Sequence, residues 1–186
     1  MRILLATAAS LALTGGFHGA AMAQTNTSTS VTTQDRLEGA NYFELESSLP
    51  FKAPDFDAIS EDDYMPAFEK AMAIQKGEIQ RVVDNPAPPT FENTIVALEK
   101  SGRMLSRVGA VFFHLTGTNT NDRLDEINTE ISPRLSAHSD SIVLNPELFA
   151  RVKAVYDNRA AMSMTPEDAK LLEETYKSMV HAGAEL

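Results

Sequence analysis

From Ser60 to Leu186 the apolar positions recur at steps of three and four, the period of a helix with one buried face. Tyr64, Phe68, Met72, Gln75, Ile79 and Val82 mark the first stripe. Ser60 and Asp63 form a capping pair ahead of it, Pro66 either kinks the helix or lies near its start, and Asn85-Pro86 stops it. After the extended linker at Pro88-Pro89, Thr90 caps a long second helix with Phe91, Ile95, Leu98, Gly102, Leu105, Val108, Phe112 and Leu115 on one face. Gly102 and Gly109 lie on or beside that face. A glycine inside a helix costs about 1 kcal/mol against alanine, so close approach of another helix is the expected reason for both. Thr116-Gly117-Thr118-Asn119 ends this helix.

A third helix is predicted from about Asn121, with Leu124, Ile127, Ile131 and Leu135 inward and a kink at Pro133. Asn145-Pro146 opens a fourth, with Phe149, Val152 and Tyr156 on its face, and Thr165-Pro166 opens a fifth carrying Leu172, Tyr176, Met179 and Val180. No stop signal is evident for this last helix before Leu186. No strand alternation and no fixed-period repeat appear. The pattern predicts an all-α fold of about five helices.

The first 60 residues read differently. Met1-Arg2, an apolar stretch from Ile3 to Leu13 and the small-residue triplet Ala21-Met22-Ala23 have the layout of an export signal over residues 1–23, cleaved before Gln24. The stretch is too short to span a bilayer. Gly15-Gly16 and the polar segment after it argue against a buried N-terminal helix. Residues 24–41, rich in Thr, Ser, Gln and Asn, cannot bury enough surface to offset their ordering entropy and read as a flexible leader. From Tyr42 to Phe56, Pro50 and Pro54 among aromatic residues predict an extended arm that packs Phe51 and Phe56 against the body, so the helical part spans residues 42–186.

Composition narrows the chemistry. The 186 residues are 43% hydrophobic, typical of a globular chain, with no cysteine and no tryptophan. A disulfide framework, a thiol nucleophile and a cysteine-based zinc or iron–sulfur site are therefore excluded. The formal charge is −10; removal of residues 1–23 leaves 15 basic and 26 acidic residues, or −11. An acidic surface without a basic run disfavours nucleic acid and anionic lipid as partners, and a cleaved signal would leave no membrane anchor.

A hydrolytic zinc site on a helix takes the form His-Glu-x-x-His, which sets two imidazoles on one face beside a general-base carboxylate. His18, His114, His138 and His181 provide no such pair: none is followed by Glu, no two are four apart, and His18 lies in the signal. His114, between Phe113 and Leu115, reads as a half-buried hydrogen-bonded residue, and His181 with Glu185 as a solvated pair. His138 and Asp140 do not share a helix face. No Gly-x-Ser-x-Gly and no glycine-rich phosphate loop occur. The acidic cluster Glu61-Asp62-Asp63 suits the positive end of a helix dipole and lacks calcium-loop spacing. Met65, Met72, Met104, Met162, Met164 and Met179 read as core or rim fillers. The expectation is that this chain carries no catalytic, cofactor-binding or metal-binding residue of its own.

The stretches LPFKAPDFDAISEDDYMPAFEKAM, PPTFENTIVALEKSG and ISPRLSAHSDSIVLNPELFARVKAVYDNRA resemble the N-terminal region of the bacterial peptidyl-dipeptidases, members of the thimet oligopeptidase-like zinc metallopeptidases. The double-proline linker followed by a Thr cap is the most specific part, and the resemblance runs from about Leu49 to Leu186. It implies an all-α ellipsoid split by a channel, with release of C-terminal dipeptides from short peptides at a zinc ion. The zinc ligands implied by the family lie C-terminal to every residue present here, so none is carried onto this sequence. The role carried over is that of first helices in the lobe that lines or narrows the channel.

Three readings follow. The chain is an N-terminal fragment of an exported, periplasmic peptidyl-dipeptidase whose missing C-terminal region supplies the zinc. Alternatively it is a stand-alone exported helical module that binds peptides or proteins, which requires its apolar stripes to close on themselves. An active enzyme with unrecognised residues is the third; no zinc-dependent hydrolysis is expected from this chain alone.

Overall fold

The computed structural model describes residues 41–186, so the expected signal over residues 1–23 and the expected leader over 24–41, apart from residue 41, lie outside the described residues. Five longer helices follow in order: α1 (Tyr64–Val83), α2 (Arg103–Thr118), α3 (Asp122–Val143), α4 (Pro146–Asp157) and α5 (Pro166–Ala182). A short segment between α1 and α2 winds as a π-helix over Phe91–Val96 and as an α-helix over Ala97–Glu99. No strand occurs among the described residues, and none of their helices is long and apolar enough to cross a membrane. The all-α reading holds.

The helix starts are set by the residues that sequence points to. Ser60 N donates to Asp63 Oδ2 at 2.7 Å while Ser60 Oγ accepts from Asp62 N at 3.2 Å, which completes a capping box. Thr90 and Asn93 form a second such box ahead of the π-helical segment. Asn121, Asn145 and Thr165 each accept from backbone N–H groups in the first turn of α3, α4 and α5. Pro66 lies in the first turn of α1, where its missing N–H leaves nothing unpaired. α3 is assigned as one helix through Pro133.

The side chains fill two cores that share α1. In the first, Ala67, Phe68 and Ala71 of α1 meet Val108, Val111 and Phe112 of α2, and Leu124, Ile127 and Ile131 of α3. The ring of Phe112 stands edge-on to Tyr64 at 5.0 Å and to Phe68 at 5.4 Å. In the second, Ile79 and Val82 from the far half of α1 meet Ile95, Leu148, Phe149, Val152 and Val155 of α4, and Leu172 and Met179 of α5. Phe149, Tyr176 and Tyr156 stack on one another at its edge, and Arg159 lies over Tyr156.

Four sequence expectations are corrected. The long second helix is broken: Gly102 takes a left-handed conformation (φ 71°, ψ 19°) and separates the Phe91–Val96 and Ala97–Glu99 segment from α2. A neighbour does approach Gly102, because a Cβ built there would lie 2.3 Å from Gln75 Nε2, but a Cβ at Gly109 would meet only Phe113 at 3.8 Å. The arm is not simply extended. It makes short 3₁₀ turns at Tyr42–Glu44 and Pro50–Lys52, Phe43 is the residue it buries, Phe51 is fully exposed, and Phe56 is half-exposed. α5 does have a stop: Gly183 is left-handed, its N–H donates to Val180 O, and Ala184 N donates to Met179 O, as in a Schellman cap.

Candidate functional site

The three histidines of the described residues stay apart in the fold. His114 is exposed on α2, not half-buried as its apolar neighbours suggest. The reason is its register, since Val111 and Phe112 take the inward positions of that turn. His181 is exposed on α5, and the Glu185 carboxylate expected beside it accepts from the Tyr176 hydroxyl at 3.0 Å. His138 is half-buried on α3 and its Nε2 donates to Gln75 Oε1 at 2.8 Å. Burial, and secondarily the charge of Lys76, pushes the His138 pKa below its ordinary value. Among the described residues no three His, Asp or Glu side chains converge as a metal-binding group. The residues present therefore do not fit the zinc centre that the family resemblance implies, and no chemical step is built on one here.

Among the described residues, two serine hydroxyls near these groups bond to the backbone. Ser141, three residues from His138, donates to the backbone carbonyl of that residue. Ser101 donates to Leu98 O. Asp62 of the acidic cluster pairs with Arg123 of α3 at 3.0 Å, and Asp63 belongs to the capping box. These carboxylates serve the start of α1 and its link to α3.

What the fold does bring together is a polar junction between the two cores. Gln75 and Glu78 lie on α1 between Ala71 of the first core and Ile79 of the second. Gln75 holds His138 of α3, while Glu78 Oε2 accepts from Gly102 N at 2.7 Å. One groove of about 420 Å³ opens beside it, lined among others by Gln75, Leu98, Ser101, Ile142 and Met179. A second, of about 320 Å³, is lined by Glu78, Arg81, Asn85, Asn93, Lys100 and their neighbours. Both walls are amide, hydroxyl and aliphatic groups with a few charges. Glu78, Arg81 and Lys100 are the charged groups of the second groove, and Glu99 is that of the first.

Two arginines tie the peripheral segments to this frame. Arg107 of α2 donates to Phe43 O at 2.9 Å and so holds the arm. Arg151 of α4 donates to Asn85 O at 2.8 Å and to Asn93 Oδ1 at 3.3 Å, which fixes the linker after α1. Sequence reasoning passed over both, and also the junction. The signals were present: a glutamine on an apolar stripe, and a glycine whose position on the stripe suggested a crossing but not a left-handed turn.

Comparison with known proteins gives the chain a small set of relatives. No protein-family profile matches the chain. Over 146 residues it is 42% identical to the dipeptidyl carboxypeptidase of Escherichia coli (strain K12), a match that covers 78% of this chain and 21% of that protein. It is 43% identical over 141 residues to the dipeptidyl carboxypeptidase of Salmonella typhimurium, with 76% and 21% covered. A more distant match, 24% identical over 134 residues, is to Oligopeptidase A of E. coli, of which 20% is covered. The chain thus spans about a fifth of the length of the curated relatives that it matches. Over that fifth, its sequence is similar to that of the dipeptidyl carboxypeptidases.

Proposed function

We propose that this chain is the helical lobe of an exported peptidase that releases dipeptides from the C-termini of short peptides, and that its helices line or narrow the channel leading to the reaction centre. The match to dipeptidyl carboxypeptidase at 42% identity, confined to a fifth of that protein, carries the reading. It is supported by the kind of surface that the helices offer: capped, rigid helices and polar grooves, with the histidines of the described residues kept apart. In this reading a zinc ion and its ligands are held by polypeptide outside this chain, and the substrate is a short peptide. The signal layout of residues 1–23 supports export to the periplasm, which the mass of the secreted protein tests: a mature chain beginning at Gln24 is expected.

The direct test replaces the matched residues of the E. coli enzyme with residues 41–186 of this chain. The chimera is expected to release dipeptides from blocked short peptides in a chelator-sensitive manner, and the free chain to release none. A chimera that lacks this activity, or activity in the free chain, overturns the reading. One observation favours the alternative of a stand-alone binding module: both cores contain wholly buried side chains, so the apolar stripes do close on one another. That alternative predicts a monomer with a single cooperative melt and an inactive chimera.

A further inference from the structure

We infer that the arm between Leu45 and Phe56 is a docking surface, and that its occupant is the peptidase body that fills the remaining four-fifths of the relatives' length. The inference rests on the functional reading above. Leu45, Leu49, Phe51 and Phe56 are all exposed large apolar side chains within one short segment, whereas Ile74, Phe113 and Leu144 are scattered over three helices. Single exposed apolar residues are ordinary; four grouped on one segment are the mark of an interaction surface.

This surface is built, not frayed. On its inner side Phe43 is wholly buried and its carbonyl accepts from Arg107. Asp55 N donates to the Tyr42 hydroxyl at 2.8 Å and so closes the segment into a loop. Lys52 N donates to Leu49 O at 3.0 Å, Ala53 N donates to Pro50 O at 3.2 Å, and Lys52 pairs with Glu46 at 3.7 Å. Leu45 and Leu49 line one small depression together with Tyr42 and Asp55. At the turn, Phe51 and Lys52 both have φ of 59°, a left-handed conformation that non-glycine residues rarely adopt. That turn presents a benzyl ring that is fully exposed among the described residues. An aromatic anchor beside the Lys52–Glu46 pair has the anatomy of an interface hot spot that inserts into an apolar pocket. The four-fifths of the relatives' length that lies outside the match is the partner of matching scale.

Chymotrypsin cleavage after Phe51 tests the assignment on unmutated residues. The free full-length chain is expected to be cut there readily, and the chimera described above to be cut roughly tenfold more slowly or less, because docking holds the site closed. In the same chimera, Phe51→Ser with Leu49→Ser is expected to restore cleavage at the neighbouring Phe56, while leaving the melting temperature of the free chain unchanged. An active chimera cut at Phe51 as fast as the free chain overturns the docking surface and leaves the functional reading intact. An inactive chimera overturns that reading, and the docking with it. Protection that appears in the free chain as its concentration rises assigns the arm to self-association and also overturns the proposal.

Discussion

Replacing Gly102 by alanine probes the junction between the two cores. The backbone there is left-handed, at φ 71° and ψ 19°, which costs an L-residue roughly 1–2 kcal/mol. The new Cβ would lie 2.3 Å from Gln75 Nε2 and 2.6 Å from Gln75 Cδ, so the amide must swing away. Swinging it breaks the 2.8 Å bond to His138, a loss of about 1 kcal/mol. Together these give a destabilisation of about 2–3 kcal/mol, or a melting temperature lowered by roughly 4–12 °C for a chain of this size. Thermal and urea unfolding followed by circular dichroism measure it. Two other glycines serve as internal references. A Cβ at Gly77 meets nothing within 4 Å, and one at Gly109 meets only Phe113 at 3.8 Å, so alanine at either position should stabilise the helix by about 0.5–1 kcal/mol. In a Gln75→Ala background the cost of Gly102→Ala should shrink by about 1 kcal/mol, the part carried by the displaced amide. A Gly102→Ala variant as stable as the Gly109→Ala variant, or an equal cost in both backgrounds, would refute the account.

Further expectations concern the cores, the caps and pH. The Tyr64 hydroxyl is buried without a partner, and burial, with Asp63 and Glu61 nearby, pushes its pKa up to about 12; Tyr64→Phe should leave stability unchanged or raise it by about 1 kcal/mol in urea melts. Phe112→Ala, which empties the centre of the first core, should cost about 3–5 kcal/mol in the same assay. Asn145→Ala removes the acceptor for Glu147 N and Leu148 N and should cost about 1 kcal/mol. Because the folded pKa of His138 lies below its unfolded value of 6.5, the unfolded chain takes up the proton first on acidification. The stability contributed by the neutral imidazole is present above pH 6.5 and is lost as pH falls through the folded value. Melts from pH 7.5 downward should show this loss, and His138→Gln should flatten it.

The helices were legible because their signals are local. A Ser, Thr or Asn cap followed by a three-and-four stripe needs no tertiary information, and five such signals reappear as capped helices. The break at Gly102 was not legible, because a glycine on a stripe is compatible both with a helix crossing and with a left-handed turn. Glu78, 24 residues away, supplies the acceptor for the Gly102 N–H. The arm failed for a similar reason. Phe43 and Phe51 are chemically alike, and what distinguishes Phe43 is tertiary: its ring packs against Tyr64 and its carbonyl accepts from Arg107, 64 residues away.

The polar junction sets the register of α1 between the two cores. An apolar residue at position 75 would bury more surface between the cores, yet the position holds an amide bonded to His138, with Glu78 bonded to Gly102 one turn on. Apolar contacts are non-directional and would tolerate a slide of α1 along its neighbours. Two directional bonds, one to α3 and one to the turn before α2, do not. They fix the register of the one helix that runs through both cores, as a single polar residue fixes register in a helical bundle. A slide of α1 by one turn would have to break both bonds at once and leave the Gln75 amide and the Glu78 carboxylate without these partners.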